Sequence, residues 1–262
     1  MSPQHDIFMQ RAAKANADSS VAAAAAEQIL SGNVIGLALS GKLASGKDTV
    51  APAALSRIGV ATMEHMFFAR PIKDEFNGIL RTMRAAPSAV AAQAAVADQF
   101  DLPVEAAGRL VDLIRDQAVA NPDLRSTDRT PEMRAALQYI GTDVRRQQDP
   151  DWWVNISLRS ALEPLAEGRS VFFTDTRFPN EAEAVRDIGF TVVRLDITDE
   201  TQRIRLADRD GLAPDPAAVN HPSETALDGY NGFDVRISND GPIEHAIAAT
   251  INAIKQRNPV AL

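Results

Sequence analysis

The stretch from Gly41 to Thr49 carries the most specific chemical pattern in the chain, Gly-Lys-Leu-Ala-Ser-Gly-Lys-Asp-Thr. It fits G-x-x-x-x-G-K, in which glycines let several backbone N–H groups surround a polyphosphate at the N-terminus of a helix. Lys47 then supplies a mobile positive charge for the β- and γ-phosphates. The residues predicted to line this phosphate site are Gly41, Ser45, Gly46, Lys47, Asp48 and Thr49.

Acids near this loop are candidate ligands of Mg²⁺. Asp48 stands where Ser or Thr is usual and Thr49 follows it, so the sequence leaves open which of the two approaches the ion. Asp175 directly follows the predicted strand 171–174, where an acid can face Mg²⁺ across the phosphate loop. Arg177 lies two residues further on, at the same edge of the predicted sheet.

Other residues fit the binding of a second, anionic ligand. Lys73 lies in the first turn of a predicted helix, where a cation is electrostatically misplaced unless an anion joins it. An indole can stack on a nucleobase, and we expect one of the adjacent pair Trp152 and Trp153 to contact ligand. Glu181 is a weaker candidate, because the helix dipole favours an acid in a first turn anyway. Further candidates are polar or small residues at the end of the helix predicted after Pro131: Gln138, Gly141 and Thr142.

A charged helix precedes a proline-bearing segment, residues 211–222. On this helix Arg205 and Arg209 share a face at spacing i, i+4, and guanidinium groups of a closing lid can bind phosphate oxygens bidentately. The alternative interpretation is a solvated face of ion pairs. The four histidines are scattered and lack the spacing of a metal site.

Apolar runs predict the elements that must position these residues. Continuous apolarity suits strands buried on both faces of a parallel sheet, and helical patterns separate the runs, which predicts an α/β fold with function at the carboxyl ends of the strands. The predicted strands are 34–39, 62–68, 170–174, 191–195 and 233–237.

The helical segments carry more specific expectations. Residues 1–32 form an N-terminal extension, a loose or partly helical head followed by a helix, before a main domain of residues 33–262. Pro52 is expected to kink or shorten the helix after the phosphate loop. Alanine-rich residues 82–125 predict a helical insertion, and Gly141 is expected to end the helix that Pro131 begins.

Composition excludes several classes of function. The chain has 27 basic and 35 acidic residues, a net charge of −8 that disfavours broad contact with nucleic acid or an anionic membrane. It has no cysteine, which excludes disulfides, thiolate zinc sites and cysteine nucleophiles. No apolar run approaches the ~20 residues that span a bilayer. These features predict a cytoplasmic protein. The isoleucine stripe of the last helix fits either core or interface, so a homodimer is left open.

Motifs in one order along the chain resemble those of the bacteriophage deoxynucleoside monophosphate kinase family, over residues 33–255. They are Ser40–Thr49, Arg70–Asp74, Leu137–Asp143, Asp151–Val154, Thr174–Arg177 and Ile237–Gly241. Residues 221–224 also match a His-x-Ser/Thr-Glu element of this family, whose role is left open. Arg70 departs from a glycine common in the family, and the alanine-rich stretch 82–120 has no clear counterpart.

The resemblance implies a P-loop NTPase fold of the adenylate-kinase type, with a five-stranded parallel sheet, a helical acceptor-binding region at 70–150 and a lid at 199–231. It implies ATP and Mg²⁺ as cofactors and a deoxynucleoside monophosphate as acceptor, in the host cytoplasm if the protein is phage-encoded. The implied groups are catalytic Lys47, Asp175 and Arg177; ATP-binding Arg205 and Arg209 beside the phosphate loop; Mg²⁺ ligands Asp48, Thr49 and Asp175; and acceptor-binding Ile72, Lys73, Gln138, Gly141, Thr142, Trp153, Asp175, Arg177 and Glu181.

Two rival functions remain at the level of sequence. A kinase of another small phosphorylated metabolite, of the phosphomevalonate or dephospho-coenzyme A type, would use the same fold. A non-catalytic nucleotide-binding module would keep the loop and hydrolyse little.

Overall fold

The computed structural model describes residues 2–128, 130–210 and 222–258. They divide into two compact units: a sheet unit, formed by the residues up to Phe68 and from Val154 onward, and a helical unit, Ala69–Trp153. No helix within the described residues is long and apolar enough to cross a membrane.

In the sheet unit, five strands of the described chain form one sheet in which every pairing is parallel, in the order β2-β3-β1-β4-β5. The predicted α/β fold with a parallel sheet flanked by helices is confirmed. The strands are β1 (Gly36–Gly41), β2 (Met63–Met66), β3 (Ser170–Thr176), β4 (Thr191–Asp196) and β5 (Val235–Ser238).

Strand β1 lies in the centre of the sheet, and this position accounts for its continuously apolar sequence. Leu37 and Leu39 are buried in a cluster with the helices on one face, whereas Ala38 is buried in the cluster on the other face. A strand covered on both faces has no solvent side for polar residues, so its sequence is continuously apolar.

Helices cover both faces of this sheet. Those of the sheet unit are α1 (Pro3–Lys14), α2 (Ser19–Leu30), α3 (Lys47–Arg57), α9 (Trp152–Ala166, which begins in the helical unit), α10 (Pro179–Asp187), α11 (Asp199–Asp210), α12 (Pro222–Thr225) and α13 (Ile243–Arg257). The isoleucine stripe of α13 packs on the sheet, with Ile247 and Ile254 buried.

Two expectations about these helices are corrected. The head predicted to be loose or partly helical is a regular helix, α1, which Ser2 caps and whose Phe8 is fully buried against the core. Pro52 lies inside α3, which continues to Arg57, so of the expected kink or shortening the shortening is wrong. The hydrogen bond that proline removes is the one to the carbonyl of Asp48, which lies in an exposed first turn where its loss costs little.

The helical unit has its own apolar core. It contains α4 (Arg70–Ala85), α5 (Ala89–Gln99), α6 (Val104–Ala120), α7 (Pro131–Gln138), a π-helix (Tyr139–Arg145) and α8 (Arg146–Gln148). The expectation that Gly141 ends the helix from Pro131 is wrong, because the chain continues through it as the π-helix. Short π-helical segments occur often at functional sites.

Candidate functional site

The loop between β1 and α3, residues 41–46, takes a shape that ordinary residues resist. Gly46 has φ +89° and Ala44 has φ +63°, both in the left-handed region. The left-handed conformation of Ala44 costs about 1 kcal/mol of conformational energy, because the Cβ comes close to the following carbonyl oxygen. The loop then enters α3 directly, and Val50 donates its N–H to the carbonyl of Gly46 at 2.9 Å. Such strain is characteristic of ligand-binding loops.

The two glycines of the sequence pattern lie where a side chain would collide. A Cβ on Gly41 would lie 2.4 Å from Ser45 Oγ and 2.7 Å from the carbonyl oxygen of Leu195. A Cβ on Gly46 would lie 2.7 Å from Asn239 Nδ2. Both positions therefore require glycine for the loop to close on itself and on its neighbours.

Side chains from α11 and from the end of β5 fix the carbonyl groups of this loop. The carbonyl oxygens of residues 43–45 accept, in that order, from Gln202 Nε2 at 3.1 Å, Arg205 Nη1 at 3.3 Å and Asn239 Nδ2 at 2.8 Å. Arg205 also donates to the carbonyl of Asn239 at 2.6 Å. With its carbonyls engaged from outside, the loop is held in one conformation.

Lys47 lies at the first position of α3 and is only 7% exposed. Its Nζ contacts the carbonyl oxygen of Lys42 at 3.4 Å. Burial, helped by the positive charge of Arg177, lowers the pKa of Lys47 to about 8, while Asp48 and Asp175 act in the opposite direction. This ammonium is a buried cation that a bound anion would stabilise.

The predicted Mg²⁺ ligands lie around this lysine. Asp48 and Thr49 are exposed in the first turn of α3. Asp175 is the penultimate residue of β3, and its Oδ1 accepts from the N–H of Phe68 at 2.9 Å. No group of three or more metal-ligating side chains occurs within the described residues. Mg²⁺ in nucleotide sites commonly takes one or two carboxylates and completes its shell with phosphate oxygens and water.

Arg177 lies in the turn that follows β3, and Glu181 lies in the first turn of α10. The Arg177 guanidinium pairs with Glu224, which comes from α12. Glu181 is 2% exposed and accepts the N–H groups of Arg177, at 2.7 Å, and of Phe178, at 3.1 Å. The predicted acceptor-binding role of Glu181 is therefore corrected: its carboxylate closes this turn from within.

The remaining predicted residue on α11, Arg209, is exposed one turn beyond Arg205. Arg205 itself binds loop carbonyls, so its position supports the loop from behind. The rest of the predicted lid, residues 211–221, lies outside the described residues.

The predicted acceptor residues of the helical unit cluster around the π-helix. A Cβ on Gly141 would lie 3.5 Å from the side chain of Ile72 in α4, so these two residues are neighbours. Three further candidates are exposed: Lys73 on α4, Gln138 at the end of α7 and Thr142 in the π-helix.

Trp153 requires a correction. It has no exposed surface, and its Nε1 donates to the carbonyl of Gly141 at 2.9 Å. The indole therefore supports the π-helix from inside and offers no face for a nucleobase. Its neighbour Trp152 is partly exposed and packs under the guanidinium of Arg145, 4.4 Å from the ring centre.

Comparison with known proteins gives two partial similarities, and no protein-family model matches the chain. Over 149 residues it is 26% identical to a protein of Acanthamoeba polyphaga mimivirus named "Putative deoxynucleotide monophosphate kinase", covering 51% of the chain and 65% of that protein. Over 114 residues it is 35% identical to "Uncharacterized protein ORF77" of Ictalurid herpesvirus 1 (strain Auburn), covering 43% and 44% respectively. The chain thus covers less than two thirds of either relative.

Several residues of the loop environment escaped sequence reasoning. Asn239 was visible only as part of a turn, Gln202 as one polar residue of a charged helix, and Glu224 as part of a short motif of open role. His65 on β2 also lies near, with its Nε2 2.8 Å from Thr174 Oγ1 and its pKa lowered by burial. Their sequence signal is weak because each acts through contacts more than 100 residues apart.

Proposed function

We propose that the protein transfers the γ-phosphoryl group of ATP to the 5′-phosphate of a deoxynucleoside monophosphate. The observation that carries this proposal is the glycine-closed loop 41–46, with buried Lys47 at the start of the helix that follows it. The mimivirus relative, which bears the name of a deoxynucleotide monophosphate kinase, supports the same class of reaction.

The loop residues fit a polyphosphate on physical grounds. Ser45 Oγ is buried and has no hydrogen-bond partner among the described residues, so a phosphate oxygen would satisfy it. Lys47 is a desolvated cation with a single carbonyl contact, so a phosphate would offset the cost of its burial. The loop enters α3 at its N-terminus, where helix N–H groups and dipole favour an anion. We therefore assign this loop as a P-loop.

Mg²⁺ fits the same place, with Asp48 and Asp175 as its carboxylate ligands and Thr49 as the alternative to Asp48. Both carboxylates lie close enough to Lys47 and to His65 to act on them electrostatically, which supports a shared ion site. The ion would neutralise charge on the polyphosphate.

In the proposed reaction, an oxygen of the acceptor phosphate forms a bond to the γ-phosphorus of ATP while the bond to the β-phosphate oxygen breaks. The products are ADP and a deoxynucleoside diphosphate. The acceptor oxygen is anionic at neutral pH, so no general base is needed. The protein must hold two anions in line and offset their repulsion, and Lys47 and Arg177 are the cations suited to that task.

The acceptor is proposed to bind at residues of the helical unit, 70–150, and the segment 199–231 is proposed as the lid. Ile72, Lys73, Gln138, Gly141 and Thr142 are the candidates for acceptor contact. Lys73 is an exposed cation in the first turn of α4, which is the position where an anionic phosphate would be favoured.

A coupled assay of ADP formation tests this function. The wild-type chain with ATP and Mg²⁺ is given dAMP, dCMP, dGMP, dTMP, the corresponding ribonucleotides, phosphomevalonate and dephospho-coenzyme A. Acceptor-dependent ADP formation with a deoxynucleotide supports the proposal. Activity with a metabolite alone supports the rival kinase, and ATP-induced thermal stabilisation without acceptor-dependent turnover supports a binding module.

A further inference from the structure

Glu224 is a buried carboxylate that the proposed reaction does not yet use. It is 6% exposed, and its two oxygens have different partners. Oε2 accepts the backbone N–H of Leu43 at 2.9 Å, inside the proposed P-loop, and Oε1 pairs with the guanidinium of Arg177. One side chain thus joins three segments that are distant in sequence: the loop after β1, the turn after β3, and α12.

The electrostatics explain why such a link is needed. Arg177 lies close enough to Lys47 to lower its pKa, so two cations share this edge of the sheet and repel each other. A carboxylate paired with Arg177 offsets part of that repulsion. Burying a carboxylate is costly unless it is paired and hydrogen-bonded, and Glu224 satisfies both conditions.

We infer that Glu224 is a positioning residue, which holds the Arg177 guanidinium beside Lys47 and fixes the P-loop at Leu43 for phosphoryl transfer. This inference rests on the proposed function. Glu224 acts through Arg177 and the loop, and touches no reacting atom itself.

The variant Glu224→Gln tests this role, because glutamine keeps the size and the acceptor for Leu43 but removes the charge that holds Arg177. We expect kcat to fall about 10- to 100-fold, as for other residues that orient an active group. KM for ATP should change far less, since the arginine acts mainly on charge that develops during transfer. The shorter Glu224→Asp should give an intermediate kcat.

Asp234 offers a matched control in the same unit. Its Oδ2 accepts the N–H of Val192 at 2.7 Å and its Oδ1 pairs with Arg257 at 3.0 Å, the same arrangement away from the loop. Because the Asp234 side chain is 19% exposed and that of Glu224 4%, Asp234→Asn should lose no more thermal stability than Glu224→Gln, and it should retain wild-type kcat. Equal losses of kcat in the two variants would show a merely structural role.

A double variant separates positioning from stability. If Glu224 acts through Arg177, then adding Glu224→Gln to Arg177→Met should lower kcat by less than twofold further. Full multiplication of the two losses would overturn the inference. Both single variants are checked for folding by thermal melting before kinetics are compared.

The wild-type protein distinguishes failure of the function from failure of this inference. Wild-type turnover with an unchanged kcat in Glu224→Gln would refute the role of Glu224 and leave the function standing. If the wild type binds ATP but transfers to no acceptor, the proposed function fails. Glu224 then has no phosphoryl transfer to position, and the inference, which rests on that function, fails with it. Absence of ATP binding by the wild type overturns both.

Discussion

At the scale of single residues, Lys47 is a cation that the folded protein buries at a cost. Its ammonium contacts the carbonyl oxygen of Lys42 at 3.4 Å. Its pKa is lowered to about 8, mainly because burial removes the ammonium from water. A group held this way destabilises the ligand-free protein slightly and gains most when an anion arrives.

Lys47→Met should therefore separate stability from activity. We expect a melting temperature equal to or above that of the wild type, and a loss of ADP formation of at least ~100-fold, the usual effect of removing a group that stabilises transition-state charge. Lys42→Met is the control, because Lys42 forms only a partly exposed pair with Asp199 at 3.0 Å. A folded Lys47→Met protein with near-normal turnover would refute the proposed site.

Two glycines with similar backbone angles offer a matched test of the loop. Gly46, at φ +89°, faces Asn239, whereas Gly59, at φ +85°, has open space where a Cβ would lie. Alanine at either position should cost about 1 kcal/mol of unfolding free energy from backbone strain. Only Gly46→Ala should also displace Asn239 and abolish ATP-dependent stabilisation. The measurements are denaturant unfolding and thermal shift with ATP, and similar behaviour of both variants would contradict this account.

At the scale of elements, the helical unit is tied together by a buried ion pair. Arg145 in the π-helix donates to Glu75 Oε1 in α4 at 2.8 and 3.0 Å, and also to the carbonyl of Phe100. Burial raises the pKa of Glu75 despite the opposing effect of Arg145. The charged form of this carboxyl is thus less favourable in the folded protein than in the unfolded chain.

The two partners should respond differently to substitution. Glu75→Gln keeps an acceptor for Arg145 without a buried carboxylate, so its unfolding free energy at pH 7 should equal or exceed that of the wild type. Arg145→Met leaves the carboxylate unpaired and should cost about 3–5 kcal/mol.

The pH dependence of this comparison has a definite sign. A carboxyl with a raised folded pKa contributes stability below its unfolded pKa and loses it as pH rises through the folded value. The unfolding free energy of the wild type, measured in urea, should therefore rise relative to that of Glu75→Gln as pH falls from 7 towards 4. If the wild type instead became less stable relative to Glu75→Gln as pH falls, the raised pKa of Glu75 would be contradicted.

Much of the fold was predictable because local patterns determine it. Continuous apolar runs such as 34–39 indicate buried parallel strands whatever lies elsewhere in the chain. The π-helix was not predictable, since Gly141 reads as a helix end unless one knows that Ile72 packs against it and Trp153 bonds its carbonyl. The loop 41–46 was recognisable in the sequence as a candidate phosphate site, whereas its link to Glu224 depends on a contact across 181 residues.

At the scale of the whole molecule, the N-terminal helix is part of the core. Helix α1 packs on α2 and α10, and Phe8 is fully buried among the residues that cover one face of the sheet. Sequence reasoning missed this because residues 1–19 show little apolar periodicity, and one aromatic residue supplies the main contact.

Phe8→Ala should lower the unfolding free energy by about 3–5 kcal/mol, the usual cost of emptying a buried aromatic site. Ile7 is the control, since it is 43% exposed on the same helix and its replacement by alanine should cost about 0.5 kcal/mol or less. Chemical denaturation of the full chain measures both. Equal costs would mean that α1 contributes no specific packing.

The strand order has a consequence for synthesis on the ribosome. Both β1 and β2 pair with β3, not with each other, and β3 begins only at Ser170, after the whole helical unit has been made. A nascent chain paused in that interval would expose the apolar strand β1 and leave the backbone edges of both β1 and β2 unpaired. Such an intermediate is the form of this protein most exposed to aggregation and most in need of a chaperone.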